Sequence, residues 1–238
     1  MPKTKTATFP IGVIDKNNSD SELWTVPRSR EEIKRKTSKW QQVIKKFDDF
    51  CHYTRKDCMF IADGLRPFCL EGNLQKVRKT KIGSSVERDV IPYINSIAGI
   101  NSSYSAGYCN WFYVADKYSG DYFWCPPSIK AASIYVYCDT YFHSWDAPAG
   151  MTRGIVPGAI DVAFNPNKDE AGKIYQQSWN YAVSYPMDGI IMEGQKSFQY
   201  DKTALDRINV RRLLLKLEKQ VTRAAKYFLY EQNTEYQR

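Results

Sequence analysis

The sequence predicts a mixed α/β (α+β) domain in which a central mixed sheet is flanked by helices. The chain has 238 residues, of which 43% are hydrophobic, so a sizeable core can be buried. Short apolar runs typical of buried strands alternate along the chain with longer segments of helical periodicity. This alternation is typical of a layered architecture with helices packed on a sheet.

The first third of the chain divides into an arm and the start of the domain. Residues 1–27 are mixed and polar and predict an arm or linker, which leaves 28–238 as one domain. Residues 29–50 have the pattern of an amphipathic helix, with Ser29 as its cap and Glu32 completing a capping box.

A buried, parallel strand is predicted next, because Cys58 to Ala62 is a continuous apolar run that ends at Asp63-Gly64. Three further helices are predicted over residues 71–79, 85–98 and 102–109, although Pro92 disfavours the second.

The remaining elements alternate more regularly. Pro126-Pro127-Ser128 favours a helix start, because proline is tolerated in the first turn. The predicted elements are strands at 111–114 and 122–124, a helix over about 127–141, a strand over 159–164, a helix over 167–178, strands over 181–185 and 190–193, and a helix over about 207–229.

The final helix carries two stripes at helical spacing. The apolar stripe predicts core packing and consists of Val210, Leu213, Leu214, Leu217, Val221, Ala224, Ala225 and Phe228. The basic stripe consists of Arg212, Lys216, Lys219, Arg223 and Lys226. A solvated face usually mixes both signs of charge, and Glu218 is the only acid within this stripe, so we favour a surface that faces an acidic partner.

Composition excludes several classes of protein. The net charge of +8 suggests an acidic partner without specifying nucleic acid. The six cysteines include no C-x-x-C pair and there are only His52 and His143, so no zinc site is predicted and buried free thiols are expected. The many tyrosines fit either an interface or half-buried strand positions. We find no signal peptide and no segment as long as a membrane span.

Several blocks of sequence resemble the tail sheath proteins of contractile phages, in the order that this family has them. The blocks are S-Y-S-A-G-Y from Ser103, P-P-S from Pro126, W-D-A-P-A-G-M-T-R-G over 145–154, G-I-I-M-E-G-Q-K from Gly189, D-R-I-N-V-R-R-L from Asp206 and Y-F-L-Y-E-Q-N from Tyr227. The residues that carry the match are Asp206, Arg207, Asn209, Arg211, Trp145, Pro148, Gly150, Arg153 and Gly154. Gln232 departs from the family, which often has proline there.

The resemblance implies a structural subunit of a contractile tail sheath, with no cofactor. Such subunits form helical rings around a tail tube, add strands to a neighbour's sheet, and contract to drive the tube through the host envelope. The implied partners are other sheath subunits, the tail tube protein, and the baseplate and tail terminator proteins, with no membrane and no direct nucleic acid contact. The implied location is the virion tail, assembled in the host bacterial cytoplasm.

The family continues past this point with a further helix and an arm, and it has outer domains that are missing here or lie before Met1. We therefore expect a fragment or a split form that does not form ordinary sheath by itself. We also expect the basic stripe, Arg212, Lys216, Lys219, Arg223 and Lys226, to face the acidic exterior of the tube.

Two alternatives come from other classes of protein. An enzyme is disfavoured because no dinucleotide, P-loop or nucleophile-elbow motif is present, and because the candidate carboxylates Asp63 and Asp139 have only His143 near them in the chain. A nucleic-acid-binding α/β module would use the basic helices at 29–46 and 207–229, but the aromatic residues are not interleaved with the basic stripe. The segment 145–154 is interpreted as a rigid connector instead of a ligand loop.

Overall fold

The structure, a computed structural model, describes residues 30–64, 90–97 and 99–230, without the side chains of 30–38 and 96. The helices are α1 (Arg30–Asp49, continued by a π-helical turn over Phe50–Arg55), α2 (Ile91–Ile97), α3 (Pro127–Tyr141), α4 (Gly150–Arg153), α5 (Lys168–Gln176) and α6 (Ile208–Ala225). The strands are β1 (Phe60–Asp63), β2 (Ser105–Tyr108), β3 (Phe112–Ala115), β4 (Tyr122–Cys125), β5 (Ala159–Val162), β6 (Trp179–Tyr185) and β7 (Gly189–Glu193).

The strands form two sheets. The first has the order β1-β2-β6-β7, with β1, β2 and β6 parallel and β7 antiparallel to β6. The second has the order β4-β3-β5 and is antiparallel, with a register shift between Tyr113 and Val114. The predicted mixed sheet with helices is therefore present, and a smaller second sheet accompanies it.

The prediction of a helix over 102–109 is wrong, because Ser105–Tyr108 forms the strand β2. All four residues are buried, as expected for a strand that lies between two parallel neighbours with both faces covered. Gly107 faces a crowded site, where a Cβ would lie 2.6 Å from the Phe198 ring and 2.7 Å from the Trp179 ring. The small residues of this run are compatible with a helix in the sequence. In the structure they are needed because close packing leaves no room for larger side chains in the strand.

Two apolar clusters cover the elements of the sheets. One cluster contains Trp40 and Ile44 of α1, Ile94 of α2, Ile174 of α5 and Trp179 of β6. The other cluster joins the two sheets to α3 and to the start of α6, through Ile134, Cys138 and Ile208 among others. The four-stranded sheet is thus covered by helices together with the second sheet.

Two buried asparagines connect the segments. Asn110 follows β2, and its amide nitrogen donates to the carbonyls of Phe164 (2.9 Å) and Ala182 (3.0 Å), while its oxygen accepts from Ala182 N (2.9 Å). Asn180 in β6 donates to the carbonyls of Gly107 (3.0 Å) and Lys196 (2.9 Å). Such side chains satisfy backbone groups where the ladders are interrupted.

Most of the other predicted elements are confirmed where the structure describes them. The predicted helix over 85–98 is present over Ile91–Ile97, while the helix predicted over 71–79, the proposed arm at 1–27 and the capping by Ser29 and Glu32 lie outside the described residues or side chains. The final helix is shorter than predicted, because α6 ends at Ala225 and residues 226–230 form turns. Within the described part of the chain, no helix combines the length and apolar character needed to cross a bilayer.

Candidate functional site

The predicted basic stripe begins on the part of α6 that packs against the body of the protein. The Arg212 side chain is only 9% exposed and its Nη2 lies 2.7 Å from Asp139 Oδ1. The same nitrogen donates to the Tyr135 carbonyl at 3.1 Å, and the guanidinium lies 4.7 Å from the centre of the Tyr135 ring. Arg212 therefore fixes α6 to α3 and is not a free surface cation.

The other four cations of the stripe are exposed. Lys216 Nζ donates to Ser144 Oγ at 3.1 Å, and Lys219 Nζ lies 3.9 Å from Asp57 Oδ2 with 59% of its side chain exposed. Arg223 and Lys226 are exposed and form no ion pair with the described residues. The five cations predicted as one surface are thus divided into an anchored end and an exposed end, which we call the basic end (Lys219, Arg223 and Lys226).

The prediction that the apolar stripe of α6 packs into the core is wrong. Val210, Leu213 and Leu214 are half-buried, and the other five members of the stripe are exposed. The residues of α6 that are buried are Ile208, Arg211 and Leu215. Val221 is 64% exposed and Phe228 is 62% exposed. After Leu215 no residue of α6 is buried, so its later turns present apolar and basic residues to the outside together.

A groove of about 510 Å³ lies between the middle of α6, α3 and the segment before β1. It is lined by Asp57, Cys58, Met59, Ile61, Tyr135, Asp139, Ser144, Arg212, Leu215, Lys216 and Lys219. In the four-stranded sheet β1 is an edge strand, with β2 as its only partner among the described strands. The sequence did not predict this groove, because Asp57 and Ser144 are far from α6 in the chain.

The blocks that carry the family resemblance meet in space. Asn209 Nδ2 donates to the Trp145 carbonyl at 3.0 Å. Arg211 is buried, donates through Nε to Ser103 Oγ at 3.0 Å, and lies 4.1 Å from the centre of the Tyr104 ring. The start of α6 therefore joins two blocks that lie more than sixty and more than one hundred residues upstream.

The segment 145–154 is a connector held by close backbone contacts. Arg153 Nε donates to the Ala147 carbonyl at 3.0 Å, and Pro148 is buried. Gly150 has φ of 83°, which favours glycine. A Cβ on Gly154 would lie 2.5 Å from the Met192 carbonyl oxygen, so β7 requires glycine there.

Asp206 and Arg207 lie at the entry to α6. Arg207 Nε is 3.2 Å from Asp206 Oδ1, and Arg207 Nη1 donates to the Tyr175 hydroxyl at 2.7 Å. These contacts place both side chains in a structural role at the helix start.

The candidate carboxylates do not form a catalytic arrangement. Asp63 accepts from the Ser128 N–H (2.6 Å) and hydroxyl (2.8 Å) at the start of α3, and burial raises its pKa to about 6. Asp139 pairs with Arg212, whereas His143 Nδ1 lies 3.6 Å from Asp146. No group of three metal-ligating side chains exists among the described residues.

Comparison with curated proteins finds tail sheath proteins. The tail sheath protein of Vibrio phage KVP40 is 33% identical over 139 residues, which is 58% of this chain and 21% of that protein. The tail sheath protein of Enterobacteria phage T4 is 31% identical over 171 residues, which is 68% of this chain and 26% of that protein. The chain is related to the tail sheath proteins. It spans about a quarter of the length of the tail sheath proteins it matches.

Solved structures agree on the fold. A chain of the anti-feeding prophage baseplate is 17% identical with a TM-score of 0.54, over 84% of this chain and 44% of that chain. A chain of the contracted sheath complex of an extracellular contractile injection system (PVC) is 22% identical with a TM-score of 0.52, over 61% of this chain and 40% of that chain. A scan against protein-family models matches none. The predicted fold class and the predicted family are confirmed, whereas the alternative of a nucleic-acid-binding module is not supported.

Proposed function

We propose that this chain is the core of a structural subunit of a contractile phage tail sheath. Subunits polymerise as helical rings around a tail tube, and contraction drives the tube through the host envelope. The observation that carries the proposal is the similarity to tail sheath proteins across blocks that the fold brings together at the start of α6. The relatives' names support a structural role and no catalytic one.

The proposed partners follow from the same similarity. They are other sheath subunits, the tube protein, and the baseplate and tail terminator proteins. The proposed location is the virion tail, with assembly in the host bacterial cytoplasm. Neither a cofactor nor direct contact with nucleic acid or membrane is part of the proposal.

The basic end of α6 is the proposed contact with an acidic tube. Lys219, Arg223 and Lys226 are exposed, and Lys219 is the only one of the three with an ion-pair partner among the described residues. Exposed ion pairs are individually weak, at about 0–1 kcal/mol each, so a sheath can release them one after another as it moves along the tube. Arg212 is excluded from this surface because it is buried against Asp139 and Tyr135.

Charge reversal tests the proposed tube contact. In the triple variant Lys219→Glu, Arg223→Glu, Lys226→Glu, we expect co-sedimentation of the chain with purified tubes to fall at least about ten-fold, because three weak attractions become repulsions. The matched control reverses three other exposed lysines, Lys117→Glu, Lys168→Glu and Lys202→Glu, and so changes the net charge equally. Equal binding by both variants, with circular dichroism showing both folded, would refute the tube contact.

A further inference from the structure

Two free thiols lie in contact next to the groove. Cys51 Sγ and Cys58 Sγ are 3.5 Å apart, with the Cys58 thiol directed towards Cys51. A disulfide bond is about 2 Å long, so the sulfurs must approach by about 1.5 Å, which small side-chain rotations can provide. No other two of the described cysteines make such a contact.

The local backbone holds these thiols together. The π-helical turn over Phe50–Arg55 ends at Lys56, whose φ of 57° is in the left-handed region. Lys56 N–H donates to the Cys51 carbonyl at 2.9 Å, and this bond reverses the chain direction. Arg55 then binds Asp57 through two hydrogen bonds, of 2.9 and 3.0 Å. The reversal returns Cys58 to the helix end that carries Cys51.

We infer that Cys51 and Cys58 are a site of reversible disulfide formation, with a low-molecular-weight disulfide such as oxidised glutathione as the oxidant. The Cys58 thiolate attacks one glutathione sulfur, and one glutathione thiolate leaves. The Cys51 thiolate then attacks Cys58 Sγ, forms the Cys51–Cys58 bond and expels the second glutathione thiolate. The cysteine pair loses two electrons and two protons, and glutathione disulfide gains them as two thiols.

Accessibility assigns the order of the two steps. Cys58 is half-buried and lines the groove, so an oxidant reaches it first. Cys51 is buried, and burial raises the pKa of its thiol to about 12, so its attack on the mixed disulfide is the slow step. Cys109, Cys125 and Cys138 are buried without a second thiol in contact and remain reduced. Among the cysteines that the structure describes, the reaction is therefore specific to one pair.

The bond restrains the segment that forms one wall of the groove. It closes a short loop that contains Asp57, the residue that faces Lys219 of α6. Thiols stay reduced in a reducing compartment and are oxidised outside it, so the bond forms when the protein meets oxidising surroundings. This inference does not depend on the proposed function.

Peptide mapping tests the inference on the full 238-residue chain. Trypsin cleaves after Arg55 and Lys56, between the two cysteines, so digestion without reduction leaves the peptide ending at Arg55 joined to the peptide beginning at Asp57 only if a disulfide links them. After incubation with oxidised glutathione we expect this joined species in the wild-type chain, and dithiothreitol should separate it. Oxidation should also raise the midpoint of thermal unfolding by a few degrees.

Two variants identify which cysteine sulfurs form the disulfide bond. Cys58→Ser should abolish both the joined peptide and the effect of oxidation on the unfolding midpoint, and this half-buried position tolerates the change. The second peptide also contains Cys69, so Cys69→Ser is the matched control and should keep the link. A joined species that persists in Cys58→Ser, or its absence from the oxidised wild-type chain, would overturn the inference.

Discussion

At the scale of single residues, Asp63 shows how a side chain that resembles a catalytic group serves the fold. Its carboxylate accepts two hydrogen bonds from Ser128 at the N-terminus of α3, where the helix dipole favours negative charge. Burial nevertheless raises the pKa of Asp63 to about 6, because the charged form loses its hydration. The sequence revealed the carboxylate after a strand, but not its partner 65 residues away.

Asp63 should make stability depend on pH. Because its pKa of about 6 in the folded protein exceeds the ordinary value of 3.8, its protonation favours folding below about pH 4, and this contribution is lost as the pH rises through 6. A shift of about 2 units corresponds to roughly 3 kcal/mol. Asp63→Asn can keep two hydrogen bonds to Ser128, because the amide oxygen accepts from the N–H and the amide nitrogen donates to the hydroxyl oxygen. Between pH 4 and 7 the free energy of unfolding of this variant should therefore rise relative to that of the wild type, by up to that amount.

The control is Asp116→Asn, measured by denaturant unfolding at the same pH values. Hydrogen bonds from Tyr118 N–H and the Ser119 hydroxyl lower the pKa of Asp116, so its contribution is present at neutral pH and is lost as the pH falls. This variant should therefore change with pH in the opposite direction. If Asp63→Asn follows the wild type at every pH, Asp63 has an ordinary pKa.

Asn110 and Arg212 show which residue roles the sequence does not reveal. Asn110 has no predicted role in the sequence, yet it is buried and bonded to Ala182 of β6 and to Phe164, which follows β5. Arg212 looks like one of five equivalent cations, yet it alone reaches Asp139 at the far end of α3. In both cases the decisive partner comes from another element, and periodicity along one segment contains no information about it.

At the scale of elements, α6 combines an anchored half with a projecting half. Its first turns bury Ile208, Arg211 and Leu215, while its last turns expose apolar side chains such as Val221. The sequence predicted the helix, but it placed the core-facing stripe on the wrong residues, because the buried ones are Ile208, Arg211 and Leu215. It did not predict where contact with the body ends, because an apolar stripe has the same period whether a core or another molecule covers it.

Replacing an apolar side chain by alanine should therefore change the free energy of unfolding unequally in the two halves of α6. Leu215→Ala removes a side chain that is 8% exposed and should lower the free energy of unfolding by about 2–4 kcal/mol. Val221→Ala, at a position that is 64% exposed, should change it by less than about 0.5 kcal/mol. Urea unfolding of both variants measures the difference. A cost above 1 kcal/mol for Val221→Ala would show that the helix packs along its whole length.

At the scale of the whole molecule, the sequence predicted more of the architecture than of the surface. Strand β2 was missed, because the central strand of a parallel sheet with small residues has no alternating pattern. Most of the other described strands and helices followed from local periodicity and from start signals such as Pro127, whereas the short helix α4 was not predicted. The groove could not be predicted from the sequence, because it exists only where α3, α6 and the segment before β1 converge.

The distribution of charge on the molecule leads to a prediction about salt. If the basic end of α6 binds an acidic tube, the attraction acts between exposed charges and is screened, since the Debye length falls from about 10 Å at 0.1 M salt to about 3 Å at 1 M. Co-sedimentation of the chain with tubes should therefore decrease several-fold between these concentrations, while the unfolding midpoint changes little, because Arg212 and Asp139 are paired within the protein.

The exposed apolar residues of α6 could bind the tube in place of the cations, and this alternative predicts a different dependence on salt. Val221 and Phe228 lie beside the basic end, and apolar contacts persist or strengthen at high salt. Binding that is unchanged or stronger at 1 M salt, and equally retained by the Lys219, Arg223, Lys226 reversal variant, would assign the tube contact to the apolar side of the helix. Binding that decreases with salt in the wild type, and is already weak in the reversal variant at 0.1 M, would assign it to the cations, because only charge–charge attraction has both properties.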